Sequence, residues 1–262
     1  MNGLQMNDKN IRIDYMVHEL KSPIAILLTN LNLVLNHTKD SCPLTTKQRN
    51  RLERALRATK TIGTYVENIL EIGRSEVGLI AFTEFKLSYL VLETIIEVID
   101  FDDSVLHNRK EMEKLEFLKQ VARKKNFDVR ISTLLWSMKF ESDFSKLKQI
   151  LANLITNGLK FKKHNVELAI THDDGNLIFV VKDDGEGIPP IYHGNIFENY
   201  FRMKNSFESP VRGHGIGLAA VAMLVKDLEG ILSLESSKNN GAIFTTKIPI
   251  KQLSSSAEDV TN

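Results

Sequence analysis

Apolar residues recur at alternating steps of four and three at the start of the chain: Ile13, Val17, Leu20, Ile24, Leu27, Leu31 and Val34. That spacing is the seam of a coiled coil or an antiparallel bundle, and it predicts a long helix from Asn7 to Asn36. A polar break, Thr38-Lys39-Asp40-Ser41-Cys42-Pro43, follows. A second helix is then expected from Thr46 to Arg74, with Leu52, Ala55, Thr59, Ile62, Val66 and Ile69 on its seam. Two helices joined by a short loop make an antiparallel hairpin. One hairpin cannot cover both sides of its apolar stripe, so two chains are expected to pair as a homodimer into a four-helix bundle.

Inside the first heptad sits Val17-His18-Glu19-Leu20-Lys21-Ser22-Pro23. His18 falls one place after a seam position, which puts its imidazole on the bundle flank, partly in water. An imidazole that is neutral near pH 7 and open to a second reactant is a competent nucleophile. Glu19 is placed to hold one ring nitrogen as N–H and leave the other free to attack. Pro23 lacks the N–H that would bond the carbonyl of Glu19, so it loosens the helix beside the histidine. A His-Glu pair on a helix is also an ordinary solvated face, and this stretch alone does not decide between the two readings.

At 262 residues and 42% hydrophobic content the chain can bury a substantial core. A net charge of +1 argues against a general nucleic-acid binder. One cysteine, Cys42, excludes an internal disulfide framework and fits a reducing compartment. No apolar run approaches the roughly 18 residues of a membrane span, so no membrane contact is expected of this chain, and the cytoplasm is its expected location.

Beyond Gly78 the pattern turns to mixed α/β. Strands are expected at Ala81–Phe85, Phe127–Ile131, Leu134–Phe140, Val166–Thr171, Leu177–Val181, Ile231–Glu235 and Ala242–Ile248. Helices are expected at Leu87–Ile99, Lys146–Phe161 and Leu218–Leu228. Asp173-Asp174-Gly175-Asn176 has the composition of a tight hairpin turn. The charged stretch from Asp102 to Lys119 reads as a helical extension or a binding site, with a solvated insertion as the default, and Gln252 to Asn262 as a frayed polar tail.

Four features of this second half suit one chemistry. The helix ending in Asn153-Leu154-Ile155-Thr156-Asn157-Gly158-Leu159-Lys160-Phe161 sets Asn153, Asn157 and Lys160 on one face. Two carboxamides and an ammonium can hold a hydrated magnesium ion and the phosphates bound to it. In Lys182-Asp183-Asp184-Gly185-Glu186-Gly187 a strand ends in a carboxylate, and two glycines let the backbone approach a ligand. Asp183 can accept a hydrogen bond from an exocyclic amine such as that of adenine, although the motif alone reads equally as a tight turn or a calcium-like loop. Gly213-His214-Gly215-Ile216-Gly217 runs into a helix whose free N–H groups can receive phosphate oxygens. Between them, Asn195 to Arg202 and the polar run with Lys204 and Arg212 have the length and charge of a lid over a triphosphate.

Taken in order, these stretches resemble the sensor histidine kinases of two-component systems. The histidine box is at Val17 to Pro23, the asparagine box at Asn153 to Phe161 and the first glycine box at Asp183 to Gly187. The phenylalanine box is at Phe197 to Phe201, and the second glycine box at Gly213 to Gly217. The resemblance covers Met16 to Pro249. It implies an α+β fold class: an antiparallel helical hairpin dimerising into a four-helix bundle, followed by an α/β sandwich ATP-binding domain of the histidine kinase and heat-shock chaperone ATPase type. The corresponding division is a phosphotransfer hairpin over 1–76, a catalytic ATP-binding domain over 77–252 and a tail over 253–262.

The resemblance also assigns roles. His18 becomes the phosphoacceptor and Glu19 its acid–base partner. Asn157 becomes the principal Mg ligand, with Asn153 and Lys160 close to the phosphates of ATP. Asp183 reads adenine, while Gly185 and Gly187 shape the pocket. Arg202 belongs to the cationic lid, and Gly213, Gly215 and Gly217 let that lid fold. The phosphoryl group then passes to an aspartate of a response regulator receiver domain. Chaperone-type ATPases usually carry a glutamate one turn before the magnesium asparagine to activate water; Asn153 stands there, which favours transfer over hydrolysis. Ser22 lies one turn after His18, where family members that also dephosphorylate their partner carry threonine or a similar residue; the plain alternative is a serine that merely precedes Pro23. Gly158 stands where the family usually has alanine, and an interior helix glycine costs about 1 kcal/mol. Two rivals share the nucleotide domain: a serine-directed kinase of the mitochondrial protein-kinase type and a catalytically inactive nucleotide-binding scaffold.

Overall fold

The computed structural model describes residues 20, 22–35, 44–75, 80–101, 106, 109–198 and 217–253. The chain divides into two compact units, Met1–Gly78 and Leu79–Asn262.

In the first unit, helix α1 covers residues 22–35 and α2 covers Thr46–Ser75. Thr45 starts α2, its hydroxyl oxygen accepting from the backbone N–H of Gln48 at 3.3 Å, a serine/threonine cap of the usual kind. Ile24 packs over Gly63, where a Cβ would lie 3.6 Å from its Cγ2. That contact joins early α1 to mid α2, the register of an antiparallel hairpin. The seam is not one stripe, however. Leu35, Thr59 and Val66 are buried, and Ile24, Leu31 and Leu52 are half-buried. Leu20, Leu27 and Val34 stay 48%, 52% and 42% exposed, and Ala55 and Ile62 are exposed on α2. The expected seam therefore splits, because one partner helix can cover only one side of a heptad stripe. The side chain of Ile69, the start of the expected first helix and Cys42 fall outside the described residues.

The second unit is built on two sheets. Strand β1 (Phe82–Lys86) runs directly into helix α3 (Leu87–Ile99), which ends where Asp100 turns left-handed at φ 53°. Helix α4 (Glu111–Arg123), strand β2 (Phe127–Arg130), the single turn α5 (Thr133–Trp136) and strand β3 (Lys139–Asp143) follow. Helix α6 (Phe144–Phe161) leads to the hairpin β4 (Val166–Asp173) and β5 (Asn176–Asp183). Helix α7 (Gly217–Asp227), β6 (Ile231–Ser236), β7 (Ala242–Pro249) and β8 (Lys251–Leu253) complete it. One sheet has the order β1-β3-β8 and the other β2-β4-β5-β7-β6. Among the described strands only β2 and β4 pair in parallel, and the other pairings are antiparallel.

Alternation along β4, β5 and β7 buries one face of the larger sheet. Onto it α6 lays Leu147, Ile150, Leu151, Leu154 and Ile155, all fully buried; each such side chain contributes about 1.5–3 kcal/mol of burial. Gly158 belongs to that face: a Cβ there would stand 3.0 Å from Val166 Cγ1, so the glycine is a packing choice as well as a propensity cost. The β4–β5 turn has Asp174 and Gly175 both at positive φ, 43° and 77°, the two-residue type I′ connection. Lys146, 2% exposed, pairs with Asp227 at 2.5 Å and locks α6 to α7. Removing one partner from a pair so buried leaves an uncompensated charge.

Three expectations fail. The segment expected as a strand from Leu134 is instead the turn α5, because the Ser132 hydroxyl accepts from Leu135 N–H at 3.2 Å and starts a helical turn; the strand begins at Lys139. For the charged stretch the default of a solvated insertion gives way to the helical extension, since α4 buries Leu115, Leu118, Val121 and Ala122. Phe117 of α4 meets Phe101 at 5.9 Å and carries Arg109 4.1 Å over its ring. Lastly, the polar end expected from Gln252 begins as β8, which pairs Lys139, Phe140 and Glu141 with Leu253, Gln252 and Lys251.

Candidate active site

Helix α6 carries the asparagine face. Asp143 caps its start, one carboxylate oxygen accepting from Lys146 N–H at 3.0 Å and the other from Ala81 N–H at 3.0 Å. With its inner face committed to the sheet, α6 turns Asn153, Asn157 and Lys160 toward the half-buried border. A Cβ on Gly217, the first residue of α7, would lie 3.1 Å from Asn153 Oδ1 and 3.9 Å from Asn157 Nδ2. Both carboxamides thus converge on the N-terminus of α7, where free backbone N–H groups favour anions. Lys160 holds its ammonium 4.7 Å over the Phe161 ring.

The first glycine box closes against the end of α6. Asp183, the last residue of β5, is 7% exposed, and its Oδ1 accepts from Gly185 N–H at 2.8 Å. A Cβ on Gly185 would stand 2.3 Å from the Phe161 carbonyl oxygen, and one on Gly187 2.0 Å from the Ser237 carbonyl oxygen. Neither position admits a side chain, and Gly187 also has φ 72°.

Residues that the sequence did not single out complete the clasp. Gly241, at φ 68°, would press a Cβ to within 1.9 Å of the Asp183 carbonyl oxygen, and its N–H donates to Gly185 O at 3.1 Å. Ser236 Oγ donates to Gly241 O at 2.6 Å and accepts from Ile188 N–H at 2.8 Å. The turn between β6 and β7 thereby braces the glycine loop from behind. Only Asn239-Asn240-Gly241, a turn-forming run, signals this in the sequence.

Of the other predicted site residues, Ser22 is exposed on α1. His18, Glu19, Arg202, Gly213 and Gly215 lie outside the described residues, as do Lys204 and Arg212. The lid stretch is described as far as Glu198, with Ile196 buried and Phe197 packed on the core. Two concavities lie elsewhere among the described residues, one of about 620 Å³ beside Tyr89 and Phe144 and one of about 790 Å³ beside Leu134 and His172.

Burial pushes the Asp183 carboxyl above its ordinary value, although N–H groups of Gly185 and Ala242 pull the other way; the charge of Asp184 adds to the rise. A buried carboxylate at the mouth of a glycine cradle fits an amine-bearing base. An adenine amine donates, so it binds the ionised form. Adenine nucleotide affinity is therefore expected to be full at neutral pH and to fall as pH drops through the raised value, on the high side of the ordinary aspartate range. Calorimetric titration of adenosine, which has no phosphate to protonate, from neutral pH down to about pH 5 tests this: wild type weakens, while Asp183→Asn, having no proton to gain there, stays flat. A wild-type affinity as flat as the variant's would sink it.

For the phosphates, the carboxamides of Asn153 and Asn157 at the start of α7 fit a metal–phosphate group. The donor set therefore suits a magnesium ion that keeps waters and substrate phosphates as most of its ligands.

A buried carboxylate, a glycine cradle and an asparagine helix facing a helix N-terminus lie together in an α/β sandwich, preceded in the chain by a helical hairpin. A family model described as "Histidine kinase-, DNA gyrase B-, and HSP90-like ATPase" matches residues 142–252. One described as "His Kinase A (phospho-acceptor) domain" matches residues 9–78. The chain belongs to the sensor histidine kinases. It is 26% identical over 242 residues to the circadian input-output histidine kinase CikA of Synechococcus elongatus, covering 91% of this chain and 29% of that protein. It is 27% identical over 255 residues to the aerobic respiration control sensor protein ArcB of Escherichia coli, covering 96% of this chain and 30% of that protein. The chain thus spans less than a third of the length of these curated relatives. Full-length ShkA, solved in complex with AMPPNP, superposes with a TM-score of 0.60 at 21% identity, over 93% of this chain and 46% of that one, a likeness of fold.

Proposed function

We propose that this chain is an ATP-dependent protein-histidine kinase core that phosphorylates its own His18 and passes the phosphoryl group to an aspartate of a response regulator receiver domain. The observation that carries the reading is the convergence of Asn153 and Asn157 on Gly217, beside a glycine cradle that presents Asp183. In the transfer, the γ-phosphorus–oxygen bond of ATP breaks and a phosphorus–nitrogen bond forms on the His18 imidazole; ADP leaves, and Glu19 takes up the imidazole proton. Asp183 holds the adenine, Gly185 and Gly187 admit it, and Asn153 and Lys160 face the phosphates. Arg202 brings positive charge from the lid, while Gly213, Gly215 and Gly217 let the lid close. Asn157 would hold a magnesium ion, which supplies charge neutralisation for the phosphoryl group. With Asn153 in place of a glutamate, no carboxylate stands one turn before Asn157 to activate water.

In this reading, 1–76 is the dimerisation and phosphotransfer hairpin, 77–252 the catalytic domain and 253–262 the tail. The exposed half of the α1 seam, Leu20, Leu27 and Val34, with Ile62 of α2, supports a homodimer in which a second copy covers what one hairpin leaves open. No helix among the described residues is long and apolar enough to cross a membrane, and dependence on ATP points to the cytoplasm.

Incubation of the protein with γ-labelled ATP tests the proposal. Acid-labile label is expected; acid-stable label would mean a serine kinase, and no label a scaffold. Ser22, exposed one turn after His18, also suits orientation of a water against a phosphorylated aspartate. Ser22→Ala is accordingly expected to slow decay of the phosphorylated regulator several-fold while leaving His18 labelling intact. Decay at the wild-type rate would remove the phosphatase from the proposal.

A further inference from the structure

Asp184 stands between the base-reading Asp183 and Gly185, yet its carboxylate points to a different part of the chain. Its Oδ1 accepts from the backbone N–H groups of Lys163, His164 and Asn165 at 2.9, 2.9 and 3.1 Å, and its Oδ2 accepts from His164 N–H at 3.0 Å. Three consecutive N–H groups form a concavity of the kind that binds anions, and here the protein fills it with its own carboxylate. Burial opposes the charge, but the bonds from His164, Asn165 and Lys163 outweigh it and hold the carboxyl below its ordinary value. The same loop is fastened on its far side. Asn165 Nδ2 donates to Asp128 Oδ2 at 3.0 Å, and Lys162 Nζ donates to the carbonyl of Asn126 at 2.9 Å and to that of Lys125.

We infer that Asp184 is a positioning residue for the adenine pocket, fastening the loop between α6 and β4 to the first glycine box and so fixing where Asp183 and Gly185 stand. This rests on reading the site as a nucleotide pocket. The geometry couples the two directly. The loop begins at Phe161, whose carbonyl oxygen lies where a Gly185 Cβ would be only 2.3 Å away, so the end of α6 forms the wall against which Gly185 sits. Without the Asp184 tie, that wall is free to withdraw from the glycine box, and the Asp183 carboxylate loses its fixed distance to the base. On the phosphate side, Asn153 and Asn157 meet the start of α7 at Gly217, a contact that the Asp184 bonds do not include.

The test uses the full chain and titrates ADP, GDP and inorganic triphosphate separately. Asp184→Ala is expected to weaken ADP about tenfold, the loss of one charged-acceptor cluster. It should narrow the ADP-over-GDP preference and leave triphosphate affinity unchanged. Asp184→Asn retains Oδ1 and its three donors, and it should recover most of the ADP affinity and the base preference. If the alanine variant does not fold, the asparagine variant is compared with wild type alone, with about a threefold loss for ADP expected. A lower melting temperature with unaltered ADP affinity and base preference would show a purely structural tie and overturn the inference. Asp183→Asn serves as the control: if it weakens ADP and the Asp184 variants do not, this inference fails and the nucleotide reading stands. If Asp183→Asn has no effect, both fall.

Discussion

Replacing His18 by Gln is expected to remove acid-labile label from the protein, lowering incorporation from γ-labelled ATP by at least about a hundredfold. Glutamine keeps a polar side chain of similar length, so the helix surface changes little. Its carboxamide nitrogen, however, has no available lone pair, and no phosphorus–nitrogen bond can form. The nucleotide pocket belongs to the second unit, so ADP affinity should equal that of wild type. That pairing separates loss of the acceptor from loss of the donor site. Label persisting in the Gln variant would show that another side chain accepts the phosphoryl group.

The second large effect is expected at Gly185. A Cβ there would lie 2.3 Å from Phe161 O, 3.1 Å from Phe161 C and 2.8 Å from Asp183 Oδ1, and the first two are backbone atoms at the end of a helix. Gly185→Ala must therefore displace either α6 or the Asp183 carboxylate. We expect ADP affinity to fall by more than about a hundredfold and stability to drop by about 1–3 kcal/mol, the usual cost of overpacking. Gly194→Ala is the matched control, since nothing lies within 4 Å of its added Cβ, and it should bind ADP like wild type. Isothermal titration and urea denaturation of both variants decide the matter; normal ADP binding by Gly185→Ala would show that the cradle is not the base pocket.

Much of the architecture was legible because it depends on short-range patterns. Helix α3 could be read at its observed bounds, Leu87–Ile99, since an apolar run of that length has no turn signal inside it. The Asp174-Gly175 turn was readable because two consecutive positive φ angles require such residues. The misreadings arose where a local signal was overridden. Leu134, Leu135 and Trp136 look like a strand until the Ser132 hydroxyl supplies a helical cap. The polarity of α4 concealed a stripe at Leu115, Leu118 and Ala122 that the core accepts. The split of the α1 seam was unreadable for a different reason: periodicity tells which residues are apolar together, not which neighbour covers them.

At the site the division is similar. Asn153, Asn157 and Lys160 share a helix face by spacing alone, and Asp183 with its glycines forms one contiguous motif. The sequence by itself therefore determined the two-part architecture and the order of the boxes, because helical period, turn residues and glycine runs act over a few positions. The tertiary structure alone decided that the asparagines meet the start of α7, that the β6–β7 turn braces the glycine box through Gly241 and Ser236, and that Asp184 faces the loop from Lys163 to Asn165. Those contacts join segments about 20 to 60 residues apart. They exist because a close-packed sheet and helix layer bring those backbones within hydrogen-bond reach, which no local pattern encodes.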